Sequence, residues 1–373
     1  MSLFNDDIID DDDDIEADDD DGAGLAAALT PPDPRANPDL VAHDAIERQL
    51  IDWWQSGSFP HTIIFSGPAG VGKATLAFRL ARFLFANPKY ESGGLFGATP
   101  VPETLAVARD NPVFARVASG GHPDLMSVAR TANEKTGNMH AEILVDDVRD
   151  VPTFLRKTAS EGGWRCVVID EAETLNRNAQ NALLKILEEP PAKALLMLVT
   201  QATGALIPTI RSRARVINVD APDATTFAAL LRKYKPELTS GDTELLSRLS
   251  QGAPGRALAL LEQGGMAAIR DVFVMLDGLP RANDADIWLA AEKMAVKSTP
   301  DPMAAMLDIA DWVLRDYARA AAKKDEAAPL KHWLAALDAL ERHRAMCDKG
   351  NLDRRHTALG ALRILQQGMK SAS

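Results

Sequence analysis

The chain has 373 residues, 46% of them hydrophobic and 25% charged, with a formal net charge of −12. That length suits two to three domains and the composition is globular, while no apolar run approaches the roughly 18 residues of a membrane span. Two cysteines exclude a disulfide-stapled miniprotein, and a start with neither a basic nor an apolar signal region leads to the expectation of a cytoplasmic protein with no membrane partner.

Residues 1–21 hold twelve of the 53 acidic side chains and no Lys or Arg, so the 41 acids that follow balance 41 bases. The body of the chain therefore carries no global electrostatic mark of nucleic-acid binding. Residues 1–38 join this Asp run to GAGLAAALTPPDPRANP, too poor in apolar surface to offset its ordering entropy, and are expected to be a disordered acidic tail and linker. The Asp run reads either as a solvated tail or as a phosphate mimic for a basic partner surface.

Over residues 40–219 short apolar runs alternate with amphipathic segments. HTIIFS (61–66), EILV (142–145), RCVVID (165–170), ALLMLVT (194–200) and ARVINV (214–219) are predicted strands, with 73–85 and 178–188 predicted helices between them. Such alternation predicts an α/β fold with a parallel sheet covered by helices. Residues 88–124, rich in Gly and Pro, are predicted to be an insertion or long loop. Beyond residue 220 the apolar positions recur at helical spacing, as in Phe227, Leu230 and Leu231, then Met303, Met306, Leu307 and Ala310, then Leu330, Trp333, Leu334 and Leu337.

The first predicted strand runs into GPAGVGKA, residues 67–74, which fits the phosphate-loop pattern up to its last position. Gly67, Gly70 and Gly72 let the backbone fold into a nest of N–H groups, and Lys73 adds a point charge toward the phosphates. The eighth position should carry a hydroxyl for Mg²⁺, and here it is Ala74. Thr75 follows, about 100° further around the helix, and does not simply take over that position. Nucleotide binding through the loop and Lys73 is compatible with this sequence; metal-assisted hydrolysis is in doubt. RCVVIDEAE then places Asp170 and Glu171 at the carboxyl end of a buried strand, where parallel-sheet enzymes keep their chemistry. Asp170 suits the metal's water shell and Glu171 an attacking water.

The stretch LNRNAQNALLKILEEPP with IPTIRSRA, joined by GPAGVGKAT, SGGHPDLMSV and ILVDDVRDV, strongly resembles the bacterial DNA polymerase III clamp-loader subunits, AAA+ proteins of the γ/τ and δ′ type. Across residues 40–220 the δ′, or stator, type is the nearer match. The resemblance implies an AAA+ P-loop domain at 39–220, a helical lid at 221–268 and an all-α collar domain at 269–373. It implies a role in DNA replication in which Arg213, within Ser212-Arg213-Ala214 at the family's Ser-Arg-Cys motif, is an arginine finger acting in trans on a neighbouring ATPase site. Thr200 falls at sensor 1 and Arg256, in GAPGRALAL, at sensor 2. The implied partners are the γ/τ and δ subunits, with the sliding clamp and primer-template DNA reached through the assembly. The implied ligand is ATP or ADP at a degenerate site.

Two departures sharpen these expectations. Many relatives carry a four-cysteine zinc module where this chain has residues 87–122; with no cysteine there, no zinc is expected. Ala74 argues for a chain without ATPase activity of its own inside the polymerase holoenzyme. A catalytically active γ/τ-like AAA+ ATPase, with Mg²⁺ held by Asp170 through water, is the alternative. A stand-alone AAA+ remodeller is a third reading.

Overall fold

The computed structural model describes residues 33–88, 101–131, 140–161, 163–298, 301–324, 326–350 and 353–371. Within them lie two compact units, one of residues 33–236 with Gln251–Gly255, the other of Glu237–Ser250 with 256–371.

The first unit opens with α1 (Asp44–Gln55), β1 (Thr62–Ser66), α2 (Lys73–Ala86), α3 (Pro112–Ala118) and β2 (Leu125–Val128). It continues through α4 (Val145–Val148), α5 (Val151–Arg156), β3 (Arg165–Ile169), α6 (Arg177–Glu188), β4 (Ala194–Thr200), α7 (Pro208–Arg211), β5 (Arg215–Asn218) and α8 (Ala224–Tyr234). The five strands make one sheet in the order β2-β3-β4-β1-β5, and every pairing is parallel. Alternate strand residues face opposite ways, as a pleat requires. Ile63, Phe65, Val168, Met197 and Val199 join the core under α1–α3, while Ile64, Val167, Ile169, Leu196 and Leu198 join the core under α4–α7. A strand buried on both faces reads as a continuous apolar run, which is why β1, β3 and β4 were visible in the sequence. This is the parallel, helix-covered sheet that the alternation predicts, and it fits the AAA+ fold that the resemblance implies.

Two local expectations fail. The predicted strand at EILV contributes only a bridge between Ile143 and Leu175, after which the chain turns into α4. The Asp147 carboxylate accepts from the Leu144 N–H at 2.8 Å, so an acidic cap starts a helix where apolar composition suggested a strand. Conversely, α3 lies inside the segment expected to be loop: the Asn111 side chain caps it by accepting from the Val113 N–H, and Val113, Phe114 and Val117 are buried; β2, just beyond that segment, is mostly half-buried and gave no strong apolar run.

Residues 33–38, expected to belong to the disordered linker, are also held in place. Arg82 of α2, 1% exposed, donates to the carbonyls of Arg35 (2.7 Å) and Asn37 (2.6 Å). Arg79 donates to the Pro38 carbonyl and pairs with Glu47 at 2.5 Å. Lys233 of α8 donates to Asp39 at 2.8 Å. Two guanidiniums buried in an amphipathic helix need acceptors, and the chain before α1 provides them. Residues 1–32, including the Asp run, lie outside the described residues.

The second unit holds α9 (Ser240–Ser250), most of α10 (Pro254–Gly278), α11 (Asp284–Met294), α12 (Pro302–Lys323), α13 (Ala327–Gly350) and α14 (Arg354–Ser371). Gly265, at φ 70°, bends α10. One residue earlier, a Cβ on Gly264 would lie 2.4 Å from that of Ala305, so α10 and α12 approach as closely as backbones allow. Tyr317 and Trp333 stack between α12 and α13 at 4.5 Å. Leu362, Leu365 and Met369 bury one stripe of α14. No helix among the described residues is long and apolar enough to cross a membrane.

Candidate functional site

The site grows from the end of β1. Ser66 is in register with Thr200 of β4 and Asn218 of β5, so the loop that follows leaves the sheet between two neighbours. The Gly67 N–H donates to the Thr200 carbonyl at 3.3 Å, and the Val219 N–H to that of Ser66 at 2.7 Å. A Cβ on Gly67 would lie 2.1 Å from the Val219 carbonyl oxygen, which excludes every other residue. Gly70 (φ 77°) and Gly72 (φ 101°) take left-handed conformations, and Gly72 leads directly into α2. This succession of left-handed turns before a helix N-terminus is the geometry of an anion nest.

Two further residues hold the loop. His43, buried at the start of α1, donates from Nε2 to the Val71 carbonyl at 2.8 Å. The Gly255 N–H donates to the Gly70 carbonyl at 2.9 Å, and a Cβ on Gly255 would come within 2.8 Å of that oxygen. Lys73, buried on the first turn of α2, donates to the Gly67 carbonyl at 2.8 Å and the Pro68 carbonyl at 2.6 Å. Burial pushes its ammonium below the ordinary lysine value, and the carboxylates of Glu173 and Asp170 pull the other way.

Asp170 follows the last residue of β3, its N–H donating to the Val128 carbonyl at 2.9 Å. Burial raises its carboxyl above the ordinary value of 3.8, while the Glu171 N–H at 2.9 Å favours the ionised form. Glu171 adopts φ 52°, and its carboxylate is taken in bidentate fashion by Arg130, which lies two residues beyond β2. That bond lifts the already high value of the Arg130 guanidinium. Thr200, 1% exposed, accepts the Ala202 N–H at 3.1 Å on Oγ1. Gly67, Gly70, Gly72, Lys73, Asp170, Glu171 and Thr200 thus gather at the carboxyl edge of the sheet.

The residues fit the phosphates of a nucleotide better than its metal. The glycine turns and Lys73 make the cradle, whereas Ala74 packs its methyl group against the core and Thr75 is buried at 8% exposure. No hydroxyl stands at the position that holds Mg²⁺ in such loops.

Arg213 lies elsewhere in this unit, two residues past α7. Gln180 of α6 sets the approach to that short helix, donating to the carbonyls of Leu175 (2.9 Å) and Ala205 (3.2 Å) and accepting from the Ile207 N–H at 2.8 Å. The Arg213 side chain is 38% exposed, donates to the Thr209 carbonyl at 3.3 Å and pairs with Glu188 at 3.1 Å. Arg211 and Arg215 flank it, both exposed. Arg256 belongs to the second unit. Burial lowers its guanidinium's value, and Asp308 and Asp311 of α12 oppose that shift.

Sequence reasoning missed Arg130, His43 and Glu188, because their roles come from partners far along the chain. Gly255 lay inside the quoted GAPGRALAL, but nothing there announced its contact with the loop. Cys166 is fully buried in β3 and burial raises its thiol, in keeping with an inert packing role.

Comparison with known proteins gives a consistent set of relatives. A family model described as DNA polymerase III, delta subunit, matches residues 42–223. DNA polymerase III subunit delta′ of Escherichia coli is 29% identical over 312 residues, which cover 82% of this chain and 77% of that one. The subunit delta′ of Pseudomonas aeruginosa is 31% identical over 266 residues, covering 70% and 74%. DNA polymerase III subunit tau of Salmonella typhimurium is 26% identical over 274 residues, covering 74% of this chain and 38% of the longer relative.

Proposed function

The chain belongs to the DNA polymerase III subunit delta′ family, and on that premise we propose that it is a clamp-loader subunit whose work is done by Arg213 in the ATP site of a neighbour. The reading rests on one contrast within the molecule: an exposed arginine, held by Thr209 and Glu188, in a chain whose phosphate loop lacks its metal hydroxyl. In the assembly the neighbours are γ/τ and δ subunits, and the sliding clamp and primer-template DNA are met through the complex. The lid at 221–268 and the collar at 269–373, with its role in assembly, belong to the same reading.

A guanidinium supplied in trans neutralises charge spread over the transferred phosphoryl oxygens, and is worth about 10³ to 10⁵ in rate, or roughly 4 to 7 kcal/mol. It must be exposed to reach the neighbour and held to arrive in one geometry. Arg213 meets both requirements through its 38% exposure, its hydrogen bond to Thr209 and its ion pair with Glu188. The chain's own loop binds nucleotide through its backbone amides and Lys73. Thr200 and Arg256 keep their sensor roles in this proposal, and no hydrolytic step is assigned to the chain itself. Mg²⁺ in such sites polarises phosphoryl oxygens, and Ala74 leaves Asp170 without its usual companion.

Replacing Arg213 by alanine is expected to depress the DNA- and clamp-stimulated ATPase of the reconstituted assembly by at least about 10³-fold at the adjoining site. Normal turnover would dismiss the finger. The glycine loop, Lys73 and Asp170 at one sheet edge favour a second reading, an active γ/τ-like ATPase. Hydrolysis by the isolated chain that disappears in Lys73→Ala would establish it.

A further inference from the structure

The partner of Arg213 stands in an electrostatically poor place. Glu188 is the last residue of α6, Glu189 is its C-cap, and Pro190 and Pro191 follow. The carboxyl end of a helix is its negative pole, and acidic side chains there are disfavoured. Lys185 is the one basic residue in that last turn. Two adjacent carboxylates at this pole break a local rule, and one of them, Glu188, is met by the Arg213 guanidinium at 3.1 Å. The pair is too exposed, at 53% and 38%, to be explained by stability, since such pairs contribute little in water.

Their geometry has a different consequence. Arg213 follows a one-turn helix, and its long side chain has many rotamers. The Thr209 carbonyl (3.3 Å) and the Ser212 hydroxyl (3.4 Å) both come from its own turn and touch the same nitrogen, Nη1. Glu188 alone among these contacts comes from another element and engages Nη2. With one nitrogen fixed from the turn and the other from the end of α6, the guanidinium plane is set in two directions.

We infer that Glu188 is a positioning residue for Arg213, holding the guanidinium in the orientation in which it meets the γ-phosphate of a neighbouring subunit's nucleotide. The inference rests on the reading of Arg213 as a finger in trans. Because the carboxylate never touches the nucleotide, its loss acts on the orientation of the arginine and leaves the neighbour's nucleotide affinity alone. A misplacement of about an ångström at a reacting group lowers rate by as much as about 10².

The test is steady-state ATP turnover of the reconstituted assembly carrying full-length Glu188→Ala, Glu188→Gln, Arg213→Ala or the double variant Glu188→Ala/Arg213→Ala. Glu188→Ala and Glu188→Gln should each lower kcat about tenfold with KM for ATP unchanged. Glu188→Ala should lower it no further once Arg213 is gone. Unfolding of the isolated chain by urea should be the same in all four variants and the parent, so a fall in kcat cannot be a folding defect. An impaired Arg213→Ala beside unaffected Glu188 variants overturns the role of Glu188 while leaving the finger standing. An equal further loss in the double variant overturns it as well. Normal turnover in Arg213→Ala removes the finger and, with it, the inference.

Discussion

The Arg130 guanidinium grips both carboxylate oxygens of Glu171, at 2.5 Å from Nε and 2.8 Å from Nη2. An acid so engaged is a poor acceptor for an attacking water, because its lone pairs already serve a charged donor. On the proposed reading, hydrolysis at the chain's own loop is therefore opposed twice, at Ala74 and at Glu171. Ala74→Ser should raise Mg²⁺-dependent ATP affinity about tenfold by restoring one oxygen ligand, yet produce no turnover until combined with Arg130→Ala. Calorimetric titration with and without Mg²⁺, followed by phosphate release assays, separates the two steps. Turnover in Ala74→Ser alone would show that the Arg130 grip is no obstacle.

Asp170 offers a pH test. Burial raises its folded pKa above the ordinary 3.8, so the native state binds its proton more tightly than the unfolded chain does. That stability is complete below the ordinary value and is lost as pH rises through the raised one. At neutral pH the parent bears the cost of a buried carboxylate. Asp170→Asn should be more stable than the parent at pH 7, a gap that closes toward pH 4. Urea titrations at the two pH values check it; a variant less stable at pH 7 would mean that attraction to Lys73 outweighs burial.

The segment before α1 should behave as part of the fold. Removing residues 1–32 leaves the Arg35, Asn37 and Pro38 carbonyls and the Glu47 carboxylate in place, and the thermal midpoint should not move. Removing residues 1–40 strips the carbonyls from two buried guanidiniums and should destabilise the chain by about 3 kcal/mol. Arg82→Met, which keeps the aliphatic bulk, should expose residues 33–40 to limited proteolysis before the sheet domain is cut.

Gly67→Ala is expected to cost more than about 2 kcal/mol, since the new methyl carbon would overlap the Val219 carbonyl, a backbone atom with nowhere to move without unpairing β5 from β1. Gly57→Ala is the control: that glycine has open space around it, and its left-handed φ of 68° is the sole penalty. Chemical denaturation of the two variants should differ clearly in midpoint.

What the residues announced was whatever depends on near neighbours. β1, β3 and β4 were legible because burial on both faces demands unbroken apolar runs, and the phosphate loop because its glycines and Lys73 sit in fixed succession. EILV misled because one carboxylate, Asp147, outweighed three apolar side chains in deciding the local conformation. Nothing near Arg79 and Arg82 in the sequence marks them as interior; the carbonyls that receive them lie 40 or so positions earlier. Arg130, Glu188 and His43 were silent for the same reason, each defined by a partner that spacing cannot disclose.

The strand order has a bearing on how the polypeptide is made. β1 emerges early from the ribosome, yet Ile63 and Phe65 pair only with Met197, Val199, Arg215 and Ile217, which are synthesised far later. Until those segments arrive, two apolar faces wait without a mate, at a synthesis rate of about 5 to 20 residues per second. The nascent chain should thus be a client for holdases up to the release of β5, and shortening it just before Arg215 should yield a sticky product even though every residue of the glycine loop has already been translated.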